Sequence, residues 1–507
     1  MTKRAGTLTL TLPPRERGTP AYRWLCAALR TEILTGRLRP GARLPATRDL
    51  AAQYGLSRGT IVSAFEQLEA EGYVKGKVGS GTYVSRVLPD TLLHSARGAD
   101  VRRPAARAPS RRLSRFAARV TLFPTFESHR VRAFRTDQPA MDLFPTTLWA
   151  QIAARRLRQA SASTLLGCGP LGYRPLQEAV TDYLATSRAV RCDPAQVVIV
   201  SGVQEALDLV ARLVLDPGDR VCMEDPGYVG AARVFEACGA KIVAVPVDDQ
   251  GMQLRASRMQ GARLVYVTPA HQFPIGISMS LARRLELLEW ARKTHALIFE
   301  DDYDSEYRYE GRPLPALQGL DRHDVVLFAG TFSKVLFPSL RLGYLVVPPD
   351  LVDRVAAAKS LTSRHAPMWE QAVLCDFMTG GHFARHIRRM REVYAERLDV
   401  LRECARERLA GLLELTGVEA GLQMTGWLLR GVDGESVARA AARRNVEVTP
   451  LSRYTRRRRA REGVQLGFAA VDAQEIRRGV RELAAVLEAE AAEAARTRHA
   501  QRYSPRG

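Results

Sequence analysis

Three kinds of residue, each placed after a short apolar run, set the chemistry this chain can do. Lys334 closes Gly330-Thr331-Phe332-Ser333-Lys334, Asp301 sits in Glu300-Asp301-Asp302-Tyr303-Asp304, and Arg341 follows in Ser339-Leu340-Arg341-Leu342-Gly343-Tyr344. A lysine amine condenses with an aldehyde, a carboxylate keeps a pyridine nitrogen protonated, and a guanidinium grips a phosphate with forked donors. Those are the parts of a site for pyridoxal 5'-phosphate (PLP). Two adjacent acids, Asp301 and Asp302, compete for the pyridine position, and the sequence leaves that choice open. A lone lysine at a strand end is ordinarily a surface group, so the weight rests on order and spacing.

Such residues need a scaffold of strand ends. Short apolar runs at 197–200, 221–224, 241–245, 264–268, 297–300, 325–329 and 344–347 alternate with helical stretches such as 204–215 and 281–293. This pattern predicts an α/β domain with a largely parallel, buried sheet, whose ligands sit at the carboxyl ends of the strands. The candidate motifs fall there. Ser201-Gly202-Val203-Gln204 follows a run and opens a helix, where free backbone N–H groups suit an anion. Glu224-Asp225-Pro226-Gly227-Tyr228 and Thr268-Pro269-Ala270-His271-Gln272-Phe273-Pro274 end two more runs.

The N-terminal residues follow a different grammar. Thr19-Pro20 reads as a cap and first turn, and Leu25, Leu29 and Ile33 fall on one helical face. A short second helix spans about 47–54 before Gly55, and Ser57 caps a third carrying Ile61, Ala64, Phe65 and Leu68. Tyr73-Val74-Lys75 and Thr82-Tyr83-Val84 flank a glycine-bearing turn and form a wing. Helix, turn, capped helix and hairpin make a winged helix-turn-helix. From about 86 to 135 periodicity gives way to Arg, Ala and Pro, the composition of a flexible tether.

Charge follows the same division. Of the formal net charge of +21, residues 1–85 hold 13 Lys/Arg against 6 acids, residues 97–119 hold 8 Arg against Asp100, and residues 453–462 hold 6 Arg against Glu462. A basic amino-terminal module beside a nearly neutral body points to a polyanion partner at one end. The seven cysteines are scattered with no Cys-x-x-Cys pair, which predicts free thiols and no metal site. No apolar run long enough for a membrane span or a signal core is present, so a cytoplasmic protein is expected.

Residues 15–85 resemble the GntR family of bacterial regulators through Leu44-Pro45-Ala46-Thr47-Arg48-Asp49-Leu50-Ala51, Leu56-Ser57-Arg58-Gly59-Thr60 and Leu68-Glu69-Ala70-Glu71-Gly72-Tyr73-Val74. The resemblance implies that Arg48, Ser57, Arg58 and Thr60 meet a double-stranded DNA operator, with Gly79 at the wing. Where such proteins often carry a second arginine in this helix, Val62 stands here. The remainder resembles fold-type I PLP enzymes of the aspartate aminotransferase superfamily. The whole chain is similar to the MocR-type (PdxR-like) subfamily, in which that domain follows the winged helix. The implied organisation is a winged helix at 15–85, a basic linker at 86–135, an aminotransferase-like domain at 136–490 and a tail at 491–507.

The same resemblance makes Lys334 the Schiff-base lysine, Asp301 the pyridine partner, Tyr303 the contact to the ring hydroxyl and Tyr228 the stacking ring. It gives Val203, Gln204, Thr331 and Arg341 to the phosphate, and Tyr173 to the phosphate of a partner subunit in a head-to-tail homodimer. Two departures bear on activity. Phe273-Pro274 stands where an asparagine-proline turn is usual, leaving His271 or Gln272 as substitutes, and Gln465 replaces the arginine for a substrate carboxylate, with Arg453 as a candidate replacement. The expected function is a nucleoid-associated bacterial transcription regulator that senses PLP or a PLP–amine adduct. The alternative is a working aminotransferase that transfers an amino group to a 2-oxo acid and carries a DNA-binding module.

Overall fold

The computed structural model describes residues 12–15, 18–77, 80–86, 112–122, 131–311, 315–456 and 461–503. It divides into two compact units, Met1–Arg111 and Arg112–Gly507. In the first, α1 (Ala21–Leu34), α2 (Thr47–Tyr54) and α3 (Arg58–Ala70) bury Leu25, Leu29, Ile33, Leu50, Ile61, Phe65 and Leu68 together. The start of α1 differs from the sequence expectation. Pro20, not Thr19, holds the cap position, and no side chain caps the helix. Gly55 ends α2 in the left-handed region at φ 63°, as its position predicts. Strands β1 (Val74–Lys77) and β2 (Gly81–Val84) pair antiparallel as the wing. Glu69 on α3 accepts from the Gly76 backbone N–H at 2.8 Å and ties the wing to that helix.

In the second unit, residues read from composition as tether are already structured. The short helix α4 (Arg115–Arg119) lies on the body's surface. Its Phe116 ring sits 5.9 Å from the Arg212 guanidinium, and Arg119 donates to the Ala237 carbonyl at 3.3 Å. Ala133 and Phe134 are fully buried in the body's core, with bridges to Val446 and Gly467. The core therefore starts before residue 136. Isolated apolar residues carry no periodicity, which is why the pattern missed them.

The main sheet has eight strands: β3 (Val197–Val200), β4 (Arg220–Asp225), β5 (Lys241–Asp248), β6 (Gly251–Met252), β7 (Ala262–Val267), β8 (Leu297–Asp302), β9 (Val326–Thr331) and β10 (Gly343–Val346). Their order is β3-β10-β9-β8-β7-β4-β5-β6. The run β9-β8-β7-β4-β5 is parallel, while β10 is antiparallel to both neighbours and β6 antiparallel to β5. Valines, leucines and alanines bury both faces of the centre, which is what a sheet covered on both sides requires. Because β4, β7, β8 and β9 point the same way, Asp225, Val267, Asp302 and Thr331 end at one edge. A second, antiparallel sheet is formed by β11 (Leu413–Leu415), β12 (Gln423–Leu428), β13 (Thr449–Pro450) and β14 (Gly463–Gly467).

Candidate functional site

Period-two alternation along β8 separates the two adjacent acids. Asp302 accepts from Arg188 Nε at 2.7 Å, both side chains being nearly fully buried. Asp301, on the other face, accepts from the Tyr266 hydroxyl at 2.6 Å through Oδ2. Its Oδ1 is buried with no hydrogen-bond partner. Burial pushes the Asp301 carboxyl up to about 7, opposed by the Tyr266 hydrogen bond and the Lys334 charge. Asp302 is neutralised by a fixed arginine, whereas Asp301 offers an acceptor oxygen to a donor. A protonated pyridine nitrogen fits that oxygen.

Lys334 follows β9 and lies in the same field, since its charge acts on Asp301. Its Nζ donates to the Asp137 backbone carbonyl at 2.8 Å and lies 3.0 Å from Asp137 Oδ1. Thr331 accepts from the Ser333 N–H at 3.1 Å, which shapes the turn carrying the lysine.

The anion cradle sits at the start of the helix Val203–Val214. Gly202 precedes it at φ 96°, a conformation that side chains other than glycine avoid, and no side chain caps the helix. The first-turn N–H groups of Val203 and Gln204 thus lack an intrahelical acceptor. A Cβ at Gly202 would lie 3.5 Å from the Arg341 guanidinium, so backbone and guanidinium converge. Arg341 is exposed and makes no hydrogen bond or ion pair among the described residues. A phosphate fits this pair of donors.

Tyr228 begins the helix Val229–Cys238, and its hydroxyl accepts from Gln204 Nε2 at 2.8 Å. Burial, with the Asp301 charge second, raises its hydroxyl well above the ordinary value, while Arg341 opposes the shift. The hydroxyl of Tyr303 approaches His271 Nδ1 at 3.0 Å, and Asp304 Oδ1 approaches the same nitrogen at 2.9 Å. One proton on Nδ1 goes to the carboxylate, the stronger acceptor, which leaves the Tyr303 proton for another oxygen. Gln272 is not a substitute for the usual asparagine. Its Nε2 donates to the Pro226 and Phe273 carbonyls at 2.9 and 2.6 Å. Arg453 is likewise engaged elsewhere, binding both oxygens of Glu435 at 3.1 and 2.9 Å.

Lys334, Asp301, Tyr303, Tyr228, Val203, Gln204, Thr331 and Arg341 thus gather at the carboxyl ends of the strands. Tyr173 stands apart, its backbone N–H on Gln371 Oε1 at 2.8 Å. In the winged helix, Ser57 caps α3 by accepting from the Thr60 N–H at 3.1 Å, and Arg48 and Arg58 are exposed. Gly79 lies outside the described residues. Sequence reasoning missed Tyr266, Arg188 and Asp137. Tyr266 was legible in principle, lying in the strand beside β8, whereas nothing in the local pattern marks Asp137.

Residues 140–483 match the model of aminotransferase class I and II, and residues 21–84 that of the bacterial regulatory proteins of the gntR family. The chain is 39% identical over 470 residues to the probable rhizopine catabolism regulatory protein MocR of Rhizobium meliloti, covering 92% of this chain and 94% of that one. It is 30% identical to the pyridoxine biosynthesis transcriptional regulator PdxR of Corynebacterium glutamicum, over 89% and 93% of the two chains. Among solved structures, the multiple substrate aminotransferase of Thermococcus profundus superposes with a TM-score of 0.68 at 29% identity, over 75% of this chain and 98% of that one. With a gntR-type winged helix, a class I/II aminotransferase body and relatives that match across both over about nine-tenths of the chain, the chain belongs to the MocR-type subfamily of GntR regulators.

Proposed function

We propose that this protein is a DNA-binding transcription regulator whose body holds PLP on Lys334 and whose grip on operator DNA depends on the state of that site. The observation that carries the reading is the pairing of Lys334 with the orphaned, buried Oδ1 of Asp301 at one sheet edge. When bound, PLP supplies an aldehyde for amines and an electron-withdrawing ring. The chain's own residues hold it: Asp301 the ring nitrogen, Tyr303 the ring oxygen through its spare proton, Tyr228 the ring face. Val203, Gln204, Thr331 and Arg341 take the phosphate. In the winged helix, Arg58 at the first turn of α3 reaches base edges or phosphate, and Arg48, Ser57 and Thr60 flank it.

A head-to-tail homodimer completes the reading, with Tyr173 serving the partner's phosphate. Leu157, Leu165 and Leu166, shortly before Tyr173 in sequence, are 62%, 70% and 88% exposed, which supports a covered face there. Ordinary amino-acid transamination is disfavoured by Gln465 and by the engagement of Arg453 with Glu435. The organisation carried forward is a winged helix at 15–85, a basic linker at 86–135 and the PLP body at 136–490, with the body's first buried residues at Ala133 and Phe134.

The test is fluorescence anisotropy of the chain's own upstream DNA, titrated with and without saturating PLP at one fixed salt concentration. PLP is expected to change the affinity, and Lys334→Ala to remove that change. Equal affinities in both states would refute control by the coenzyme.

A further inference from the structure

Two groups have no part in holding a cofactor and together bear on what else the site takes: Asp137, which pairs with Lys334, and Gln465, whose cross-strand neighbour Thr449 faces Thr136. Asp137 sits at φ 65°, a left-handed conformation uncommon outside glycine and tolerated by aspartate. Its backbone N–H donates to Gln423 Oε1 at 3.0 Å, and its carbonyl accepts from Lys334. The backbone, rather than the ion pair alone, therefore fixes the carboxylate. Its charge reaches the hydroxyls of Tyr228, Tyr303 and Tyr454, so it faces the same ring of tyrosines. The other charges acting on those hydroxyls are the acids Asp301, Asp304 and Glu224 and the cations Arg341 and Arg453. With Arg341 committed to a phosphate, Arg453 to Glu435, Asp304 to His271 and Asp301 to the ring nitrogen, Asp137 is the carboxylate left to face an incoming amine while Lys334 holds the aldehyde.

The second group is Gln465, fully buried on β14. Its Nε2 donates to the Pro274 carbonyl at 3.1 Å, an oxygen that also accepts from Thr425 Oγ1 at 2.9 Å. That carbonyl fixes the amide's orientation and leaves Gln465 Oε1 as a buried acceptor without a partner. A carboxylate at this place would meet an acceptor and an acid where it needs a cation. A hydroxyl or ammonium would meet both as a donor.

We propose, resting on the PLP reading above, that the ligand of this site is a primary amine without a carboxylate, rich in hydroxyls or carrying a second ammonium. Asp137 is its specificity-determining residue. Amino acids are turned away by the same carboxylate that draws such amines, an arrangement in which repulsion does as much as attraction.

The experiment uses the full chain loaded with PLP and follows the cofactor's absorbance during titration. The probes are 1,4-diaminobutane and 1-amino-1-deoxysorbitol on one side, L-alanine and 4-aminobutanoate on the other. The carboxylate-free amines are expected to half-saturate the site at concentrations lower by about tenfold, the size of one charge-assisted hydrogen bond. Asp137→Asn, and Asp137→Gly, which keeps the backbone conformation, are expected to bring that ratio towards one. Amino acids binding as well as the other probes would overturn the proposal, as would an unchanged ratio in both variants. A wild-type chain that forms no Lys334-bound chromophore would overturn the PLP reading as well, an outcome distinct from a loaded chain without preference.

Discussion

Arg48 and Arg58 stand exposed on short helices of the winged helix, whereas Asp301, Asp302, Glu224 and Glu300 of the body lie at most 6% exposed around the ends of a sheet. The first arrangement leaves charge in water until a polyanion arrives, at little cost to folding. The second takes charge out of water, and each carboxyl is either matched by a fixed partner or pushed towards its neutral form. Asp302 has Arg188, while burial pushes Asp301, Glu224 and Glu300 each up to about 7. Buried carboxyls therefore weigh on the stability of the body far more than the exposed Arg48 and Arg58 weigh on that of the DNA-binding unit.

The contrast breaks most visibly at the buried ion pair. Asp302→Ala takes the main carboxylate from the buried Arg188 guanidinium and is expected to destabilise the chain by about 3 kcal/mol or more, read by chemical denaturation. A loss below about 1 kcal/mol would show that Arg188 finds other partners readily. Arg58→Ala is expected to weaken operator binding by about 1–3 kcal/mol with an unchanged melting temperature. Ser57→Ala removes the α3 cap and is expected to cost about 1 kcal/mol of stability in the winged helix, a fold effect where Arg58→Ala has none.

The smallest effect concerns pH. A carboxyl whose folded value is raised binds more protons folded than unfolded, so stability falls as pH rises between about 4 and the folded value. For Asp301 and Glu224 that upper limit is about 7. Thermal melts of the PLP-free chain at pH 5 and pH 8 are expected to show a lower melting temperature at pH 8, by a few degrees. Asp301→Asn is expected to reduce the difference. A melting temperature that rises over this range would contradict the burial argument.

How much of this was legible depends on the distance between partners in sequence. Lys334, Asp301 and Arg341 are marked by local motifs at strand ends, and the alternation of strands and helices gave the parallel core. The antiparallel insertion of β10 was not legible, because an apolar run carries no direction. Nor was the choice between Asp301 and Asp302, which needs Arg188 from over a hundred residues earlier. Asp137 meets Lys334 across 197 residues from a stretch without periodicity. Ser57 was foreseen as a cap because capping is local, whereas Thr19 was misread because proline in the next position also satisfies a helix start.

The helices Val203–Val214 and Val229–Cys238 begin at the phosphate cradle and at Tyr228, and near their far ends they carry Arg212 and Ala237, against which α4 rests. At 1.5 Å of rise per residue, each is a rod of about 15–18 Å. Two rigid rods therefore join the Gly202 end of the sheet to the surface on which α4 lies. Phe116 and Arg119 thus take hold of the body about three helical turns away from the strand ends that carry the candidate site.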